Sequence, residues 1–173
     1  MQVLNDVRRE AKLKEFKNHV DALQEIADEL NLGDPWSYNR MREILMSIML
    51  NHTVAIVYAG EDAIDESGNE VEYKSTTQDE LNATYNGVSN YPTWEKQLKY
   101  IRENKIGKYK WHFCARFEGQ KIIEIWKLSG DDVLKCLEEK FHRSWINRNN
   151  RKDPRLGAVL TGKQIKKYGT KVY

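Results

Sequence analysis

The sequence predicts a mixed α/β domain, with a central mixed β-sheet flanked by helices and a long helix at the N-terminus. Three observations predict it. Apolar residues recur at helical spacing through the first thirty positions. Two pairs of strand-like runs are joined by short Gly-containing turns, and further helical segments separate and follow those pairs.

Residues 3–31 form the expected long helix, because Val7, Ala11, Phe16, Val20, Leu23, Ala27 and Leu30 recur mostly three to five apart among charges. Asn31-Leu32-Gly33-Asp34-Pro35 ends it. Its apolar stripe suits either core packing or a dimer interface. Ser37 is the expected cap of a second helix over 38–51, turning Met41, Ile44, Leu45, Ile48 and Met49 inward. Thr53–Tyr58 reads as a short buried strand and 61–76 as a hairpin around Glu66-Ser67-Gly68. Residues 77–93 read as a polar loop and 94–104 as a helix. The runs 110–117 and 121–127 read as a second hairpin, and 131–141 as a helix.

Composition bounds the function. Five Trp and 40% hydrophobic residues in 173 suffice for one domain with a real core. A charged fraction of 31% and a mean hydropathy of −0.76 predict a soluble chain. No run approaches the ~20 apolar residues that span a bilayer, and Met1 to Glu10 shows no apolar core of a secretory signal. Cys114 and Cys136 are expected as reduced thiols, which implies a cytoplasmic location. Lys140 to Tyr173 carries ten Lys or Arg against one acid, Asp153, a net of +9, while residues 1–139 carry −7. A basic segment on an acidic body suits a polyanion such as nucleic acid. A solvated tail is the plainer alternative, but Trp145, Leu156, Val159, Leu160 and Ile165 offer anchors.

The chemistry concentrates in Gly60 to Lys74. In a strand, Glu72 and Lys74 share one face and Val71 and Tyr73 the other. If Glu66-Ser67-Gly68 is a three-residue loop with Gly68 in the left-handed region, Asp65 pairs with Asn69 and Asp62 falls opposite Glu72. Two opposed carboxylates repel and destabilise a hairpin. A divalent cation between them reverses the sign, and hard cations such as Mg²⁺ choose such oxygens together with phosphate and water. Lys74, on the same face, is placed to orient or deprotonate an attacking water or to stabilise charge on a phosphate. Glu-x-Lys alone is cheap: it also occurs at Glu10/Lys12, Glu15/Lys17, Glu103/Lys105 and Glu138/Lys140. Those four lie in helical segments, where residues two apart do not face each other. On spacing alone, a solvated charged hairpin competes evenly with a catalytic one.

Glu43, Leu50-Asn51-His52, Gly60-Glu61-Asp62-Ala63-Ile64-Asp65 and Gly68-Asn69-Glu70-Val71-Glu72-Tyr73-Lys74-Ser75 together resemble the core of PD-(D/E)xK nucleases, most of all type II restriction endonucleases. The resemblance runs over about residues 39–140 and implies a restriction-endonuclease-like core. It implies Asp62 and Glu72 as metal ligands, with the Tyr73 carbonyl a possible third, Lys74 as the catalytic lysine and Glu43 as an assisting acid. It departs at Glu61, where the family pattern has a proline that varies among members. Asp65 is the spare acid if the register slips.

The implied organisation is 1–35 as an N-terminal helix, 36–141 as the nuclease core and 142–173 as a basic DNA-binding segment of the same domain. The expected activity is Mg²⁺-dependent hydrolysis of double-stranded DNA, with Mn²⁺ as a substitute, by a homodimer with no membrane association. A repair, junction-resolving or phage-encoded nuclease is the in-class alternative, and a non-catalytic DNA-binding protein the competing one. Expected DNA contacts are Gln78, Asn82, Asn86 and Asn90 on base edges, and Arg148, Arg151, Lys152, Arg155 and Lys163 on phosphates. His52 and His112 read as structural imidazoles. His142 lacks the second histidine and the cysteines of an HNH site.

Overall fold

The computed structural model describes residues 6–56, 60–150 and 155–173. The first helix is α1 (Asp6–Glu29); its expected start at residues 3–5 lies outside the described residues. Asn31 and Gly33 turn the chain with φ of 53° and 75°. α2 (Arg40–Leu50) starts two residues later than expected, with Asn39 rather than Ser37 as its N-cap and no side-chain capping bond. Its inward face also differs. Arg40, Ile44, Met46 and Ser47 are buried, while Ile48 and Met49 are exposed. A buried arginine sets that phase: the Arg40 guanidinium donates to Leu32 O and Ala55 O, each at 2.5 Å. An apolar stripe on the sequence cannot show that.

The expected strand 53–58 shrinks to β1 (Thr53–Val54), with Ile56 exposed; Val57 and Tyr58 lie outside the described residues. Its partner β2 (Ala63–Ile64) is equally short, so little ladder exists to extend it. β3 (Glu70–Thr76) pairs antiparallel with β2 and parallel with β5 (Trp111–Glu118). β5 forms the second hairpin with β6 (Lys121–Ser129), whose outer edge holds β8 (Thr170–Lys171). The main sheet therefore runs β1-β2-β3-β5-β6-β8.

Residues 77–93 are not a simple loop. They contain β4 (Ala83–Val88), which pairs with β7 (Leu156–Leu160) from the basic segment. The alternation Leu81, Ala83, Tyr85 against Asn82, Thr84, Asn86 is that strand's period, hidden by its polar half. Gly87, at φ 69°, bends the strand where its register shifts between Tyr85 and Val88.

α3 (Trp94–Asn104), capped by the Thr93 hydroxyl, spans the expected range. α4 (Gly130–Ile146), capped by Ser129, runs five residues beyond its expected end. The basic segment is folded rather than a loose tail. Leu156, Leu160 and Ile165 are essentially inaccessible, and α5 (Gly162–Tyr168) opens on a Thr161–Gln164 capping box.

Two apolar clusters flank the main sheet. Val71, Tyr73, Phe113 and Phe117 join Met46 of α2 on one face. Cys114, Leu128, α4 and the β4–β7 ribbon pack on the other. Strand alternation therefore turns Glu72 and Lys74 towards the ribbon.

Candidate active site

The hairpin closes as its turn chemistry dictates. Asp65 N–H donates to Asn69 O (3.0 Å), and Gly68, at φ 79°, donates to Asp65 O (2.9 Å). The Asp65 carboxylate is consumed inside this turn by the N–H groups of Ser67 and Asn69 and by the Asn69 amide. Asp65 is thus a turn residue rather than the spare acid. Ala63 pairs with Val71 and Ile64 with Glu70, and beyond the ladder the Asp62 N–H donates to Val71 O at 3.1 Å, so the register expected to set Asp62 opposite Glu72 does not continue past Ala63.

Asp62 Oδ2 accepts the Tyr73 N–H at 2.6 Å. Burial, reinforced by the Glu72 charge, pushes its carboxyl up to about 7. Glu72 is ion-paired with Lys74, whose Nζ also donates to Tyr73 O at 3.2 Å. Burial draws the Lys74 ammonium down, but Glu72 and Asp62 outweigh it and hold its pKa above the ordinary lysine value. Three oxygen sources, Asp62, Glu72 and the Tyr73 carbonyl, thus gather around one ammonium at the edge of a cleft.

The Tyr73 side chain faces the opposite side, where its hydroxyl meets His52 Nδ1 (2.8 Å) and Ser47 Oγ (3.3 Å). His52 therefore braces β3 from behind. Glu43 reaches the same cleft from α2 and bears weakly on the Asp62 charge, but its carboxylate is ion-paired with buried Arg40 at 3.3 Å.

The expected DNA contacts separate. Gln78, Asn82 and Asn86 line a cleft of about 350 Å³ with Lys74 and Glu43. The Asn82 oxygen accepts the Gly162 N–H (3.1 Å), which commits it to holding α5. Asn86 is exposed on β4, and Asn90 lies exposed beyond the strand. Arg148 stacks on Trp145 at 3.9 Å and donates to its carbonyl, a structural use. Arg155 flanks Gly87. Lys163 shares a cleft with Lys135, Arg143 and Lys167, and Arg151 and Lys152 lie outside the described residues.

A second cavity, which shares Lys74, Thr84 and Asn86 with that cleft, is lined by groups that the sequence does not single out. Tyr109 donates to Gly60 O at 2.6 Å, and Tyr85 and Lys105 line the wall beside Glu72 and Lys74. The period-two pattern of β4 was the signal for Tyr85. Tyr109 had none.

The family model for restriction endonuclease PvuII matches residues 8–173. The chain belongs to the restriction endonuclease PvuII family. It is accordingly a DNA-cleaving nuclease of the type II restriction endonuclease kind, and its mixed sheet flanked by helices behind a long α1 is that fold. Enzymes of this kind generally use divalent metal ions. Among the described residues no three His, Cys, Asp or Glu side chains converge into a metal cage. Mg²⁺ needs none, since it is typically held by one or two carboxylates with phosphate and water completing the shell. The Asp62 and Glu72 carboxylates and the Tyr73 carbonyl are hard oxygen donors of that kind. Among the described residues no helix is long and apolar enough to cross a membrane.

Proposed function

We propose that this family member is a Mg²⁺-dependent endonuclease that cuts double-stranded DNA at a specific short sequence, with Mn²⁺ able to substitute. One observation carries the reading: the Asp62 and Glu72 carboxylates interact as like charges beside Lys74, and the Tyr73 N–H ties Asp62 to the strand that carries the other two. A fold that only needed a hairpin would gain by losing one of those acids. Asp62, Glu72 and the Tyr73 carbonyl hold the ion in this reading. When bound, the ion supplies Lewis acidity that neutralises charge on the scissile phosphate. Lys74, held as an ammonium, orients the attacking water and stabilises the negative charge that builds on the phosphate. Glu43 tunes the local charge through Arg40 rather than reacting.

Residues 36–141 serve as the nuclease core, and 142–173 as a basic DNA-binding segment of the same domain. Thr84 and Asn86 on the outer face of β4, with Gln78 beside them, face the cleft and are suited to base edges. Asn90 is a further candidate, and Arg155, Lys163 and the flanking Arg151 and Lys152 supply phosphate contacts. A homodimer fits double-strand cutting, because a two-fold axis puts one site on each strand. The exposed stripe of α1 supports this, since Leu13, Phe16, Ile26 and Leu30 are each at least half exposed. A cytoplasmic location accords with two free thiols.

The test is plasmid DNA incubated with Mg²⁺, with Mn²⁺ and with chelator. Discrete fragments in either metal and none in chelator are expected. Cutting in chelator removes the metal, and an even smear removes the specificity. Light scattering on the parent and on Phe16→Ser should show a dimer weakened by the substitution; a monomeric parent, free and on DNA, removes the dimer.

A further inference from the structure

We infer that Tyr85 is a positioning residue through which the β4–β7 ribbon sets the place of Lys74. The inference rests on the reading of Lys74 given above and adds to it how base reading reaches the chemistry.

Tyr85 is buried while its neighbours Thr84 and Asn86 are exposed, so β4 turns one side chain inward between two that face the cleft. The inward ring lies under the catalytic-site lysine, with Lys74 Nζ 5.3 Å from the ring centroid. A cation over a tyrosine face in a desolvated setting is held by the ring's quadrupole.

The ring itself is fixed at its far end. The Tyr85 hydroxyl meets His112 Nδ1 at 3.1 Å, and His112 Nε2 meets the Ile106 carbonyl at 2.9 Å. A carbonyl only accepts, so Nε2 carries the hydrogen and Nδ1 is left to accept from Tyr85. His112 stays neutral, because burial draws it down to about 4. It stands opposite Glu72 in the β3–β5 ladder, and Glu72 is the ion-pair partner of Lys74. Tyr85 is therefore pinned to the same stretch of sheet that carries the site.

Thr84, Asn86, Glu72, Lys74, Tyr85 and His112 all line one cavity of about 170 Å³. The ribbon bends at Gly87, where the β4–β7 register shifts. When Thr84 and Asn86 engage base edges, any movement of β4 is carried by the intervening Tyr85 to the ring beneath Lys74. A correct sequence seats that ring and an incorrect one displaces it.

The experiment uses the full chain, a short duplex carrying the site mapped from the parent's plasmid digest, and a second duplex with one base pair changed. Binding is measured without metal and single-turnover cleavage with Mg²⁺. Tyr85→Leu should lower the cleavage rate about 10- to 100-fold with the dissociation constant unchanged. Tyr85→Phe keeps the ring and should restore most of that rate. Because it loses the His112 bond, it should cut the altered site relatively better than the parent does. The rate loss caused by Asn86→Ala should shrink when Tyr85→Phe is already present.

Additive effects of Asn86→Ala and Tyr85→Phe, or parental rates in both Tyr85 variants, overturn the inference. If Tyr85→Leu fails to fold, the cycle with Tyr85→Phe still decides. Lys74→Ala is the control. If it is dead while the Tyr85 variants behave as the parent, only this inference falls. If Lys74→Ala cuts normally, the site reading falls and takes this inference with it.

Discussion

The β2–β3 hairpin and the β4–β7 ribbon face the same cleft, yet one turns within Glu66-Ser67-Gly68 and the other joins residues 83–88 to residues 156–160. Closing the hairpin orders only a few residues, so its own turn chemistry selects the register. Closing the ribbon joins segments with α3, β5, β6 and α4 between them in the chain. The hairpin brings two like charges, Asp62 and Glu72, within electrostatic reach of each other. The ribbon is apolar inward and turns amide and hydroxyl groups outward at Thr84 and Asn86. On the proposed function, chemistry belongs to the local element and base reading to the non-local one.

The largest effect that would sharpen the contrast lies in the hairpin. Asp62→Asn, Glu72→Gln and Lys74→Ala should each lower the cleavage rate by on the order of 10³ or more, while metal-free DNA binding and the far-UV spectrum stay near the parent's. Parental rates in all three would move the active site elsewhere.

The next prediction concerns His112, which joins the two regions. Its folded pKa is lowered to about 4 from the ordinary 6.5, because burial disfavours the charged ring. The unfolded chain therefore takes up the proton first, and the histidine's contribution is complete above about pH 6.5 and lost as pH falls towards 4. Urea midpoints should yield a stability loss of up to roughly 1.4 kcal/mol per pH unit across that window. His112→Gln should flatten the slope; an equal slope in parent and variant would detach His112 from the acid limb.

In the ribbon, Asn86→Ala should cost about 1–3 kcal/mol of binding on the mapped site and little on random DNA. Asn82→Ala should instead lower stability by about 1 kcal/mol with discrimination intact, because its amide oxygen is spent on Gly162 N–H. Reversal of the two outcomes would exchange their roles.

Smaller again, replacing Lys163 should reduce the slope of log affinity against log salt by roughly one unit without changing sequence preference. The smallest effect returns to the hairpin. Without metal, Asp62→Asn should raise stability by up to about 1 kcal/mol in thermal unfolding, since it relieves the Glu72 repulsion. A clear loss would show that the Tyr73 N–H bond to Asp62 outweighs that repulsion.

Much of the frame was legible because it depends on near neighbours. α3 follows from Thr93 and its periodicity, β5 and β6 from the Glu118-Gly119-Gln120 connection, and the pairing of Asp65 with Asn69 from Gly68. Less legible were features paired at a distance. β4 was hidden in a polar stretch whose partner lies beyond α4. The phase of α2 was set by Arg40, which is buried because carbonyls of Leu32 and Ala55 converge on it. Gln78, Asn82, Asn86 and Asn90 look alike in sequence, and Asn82 turns out to hold a helix end.

The sequence by itself determined the periodicities, the Glu66-Ser67-Gly68 turn, the charge divided between body and C-terminal segment, and the motif that marks the family. These are properties of residues close along the chain, where spacing and turn geometry leave few choices. Tertiary structure alone decided that the basic segment supplies a partner strand for β4, that Tyr85 lies beneath Lys74, and that Phe16, Leu23 and Leu30 of the α1 stripe face outward while Ala27 is buried. An apolar stripe, a tyrosine or a lysine reads the same whatever covers it, and what covers it is settled by packing between segments far apart in sequence.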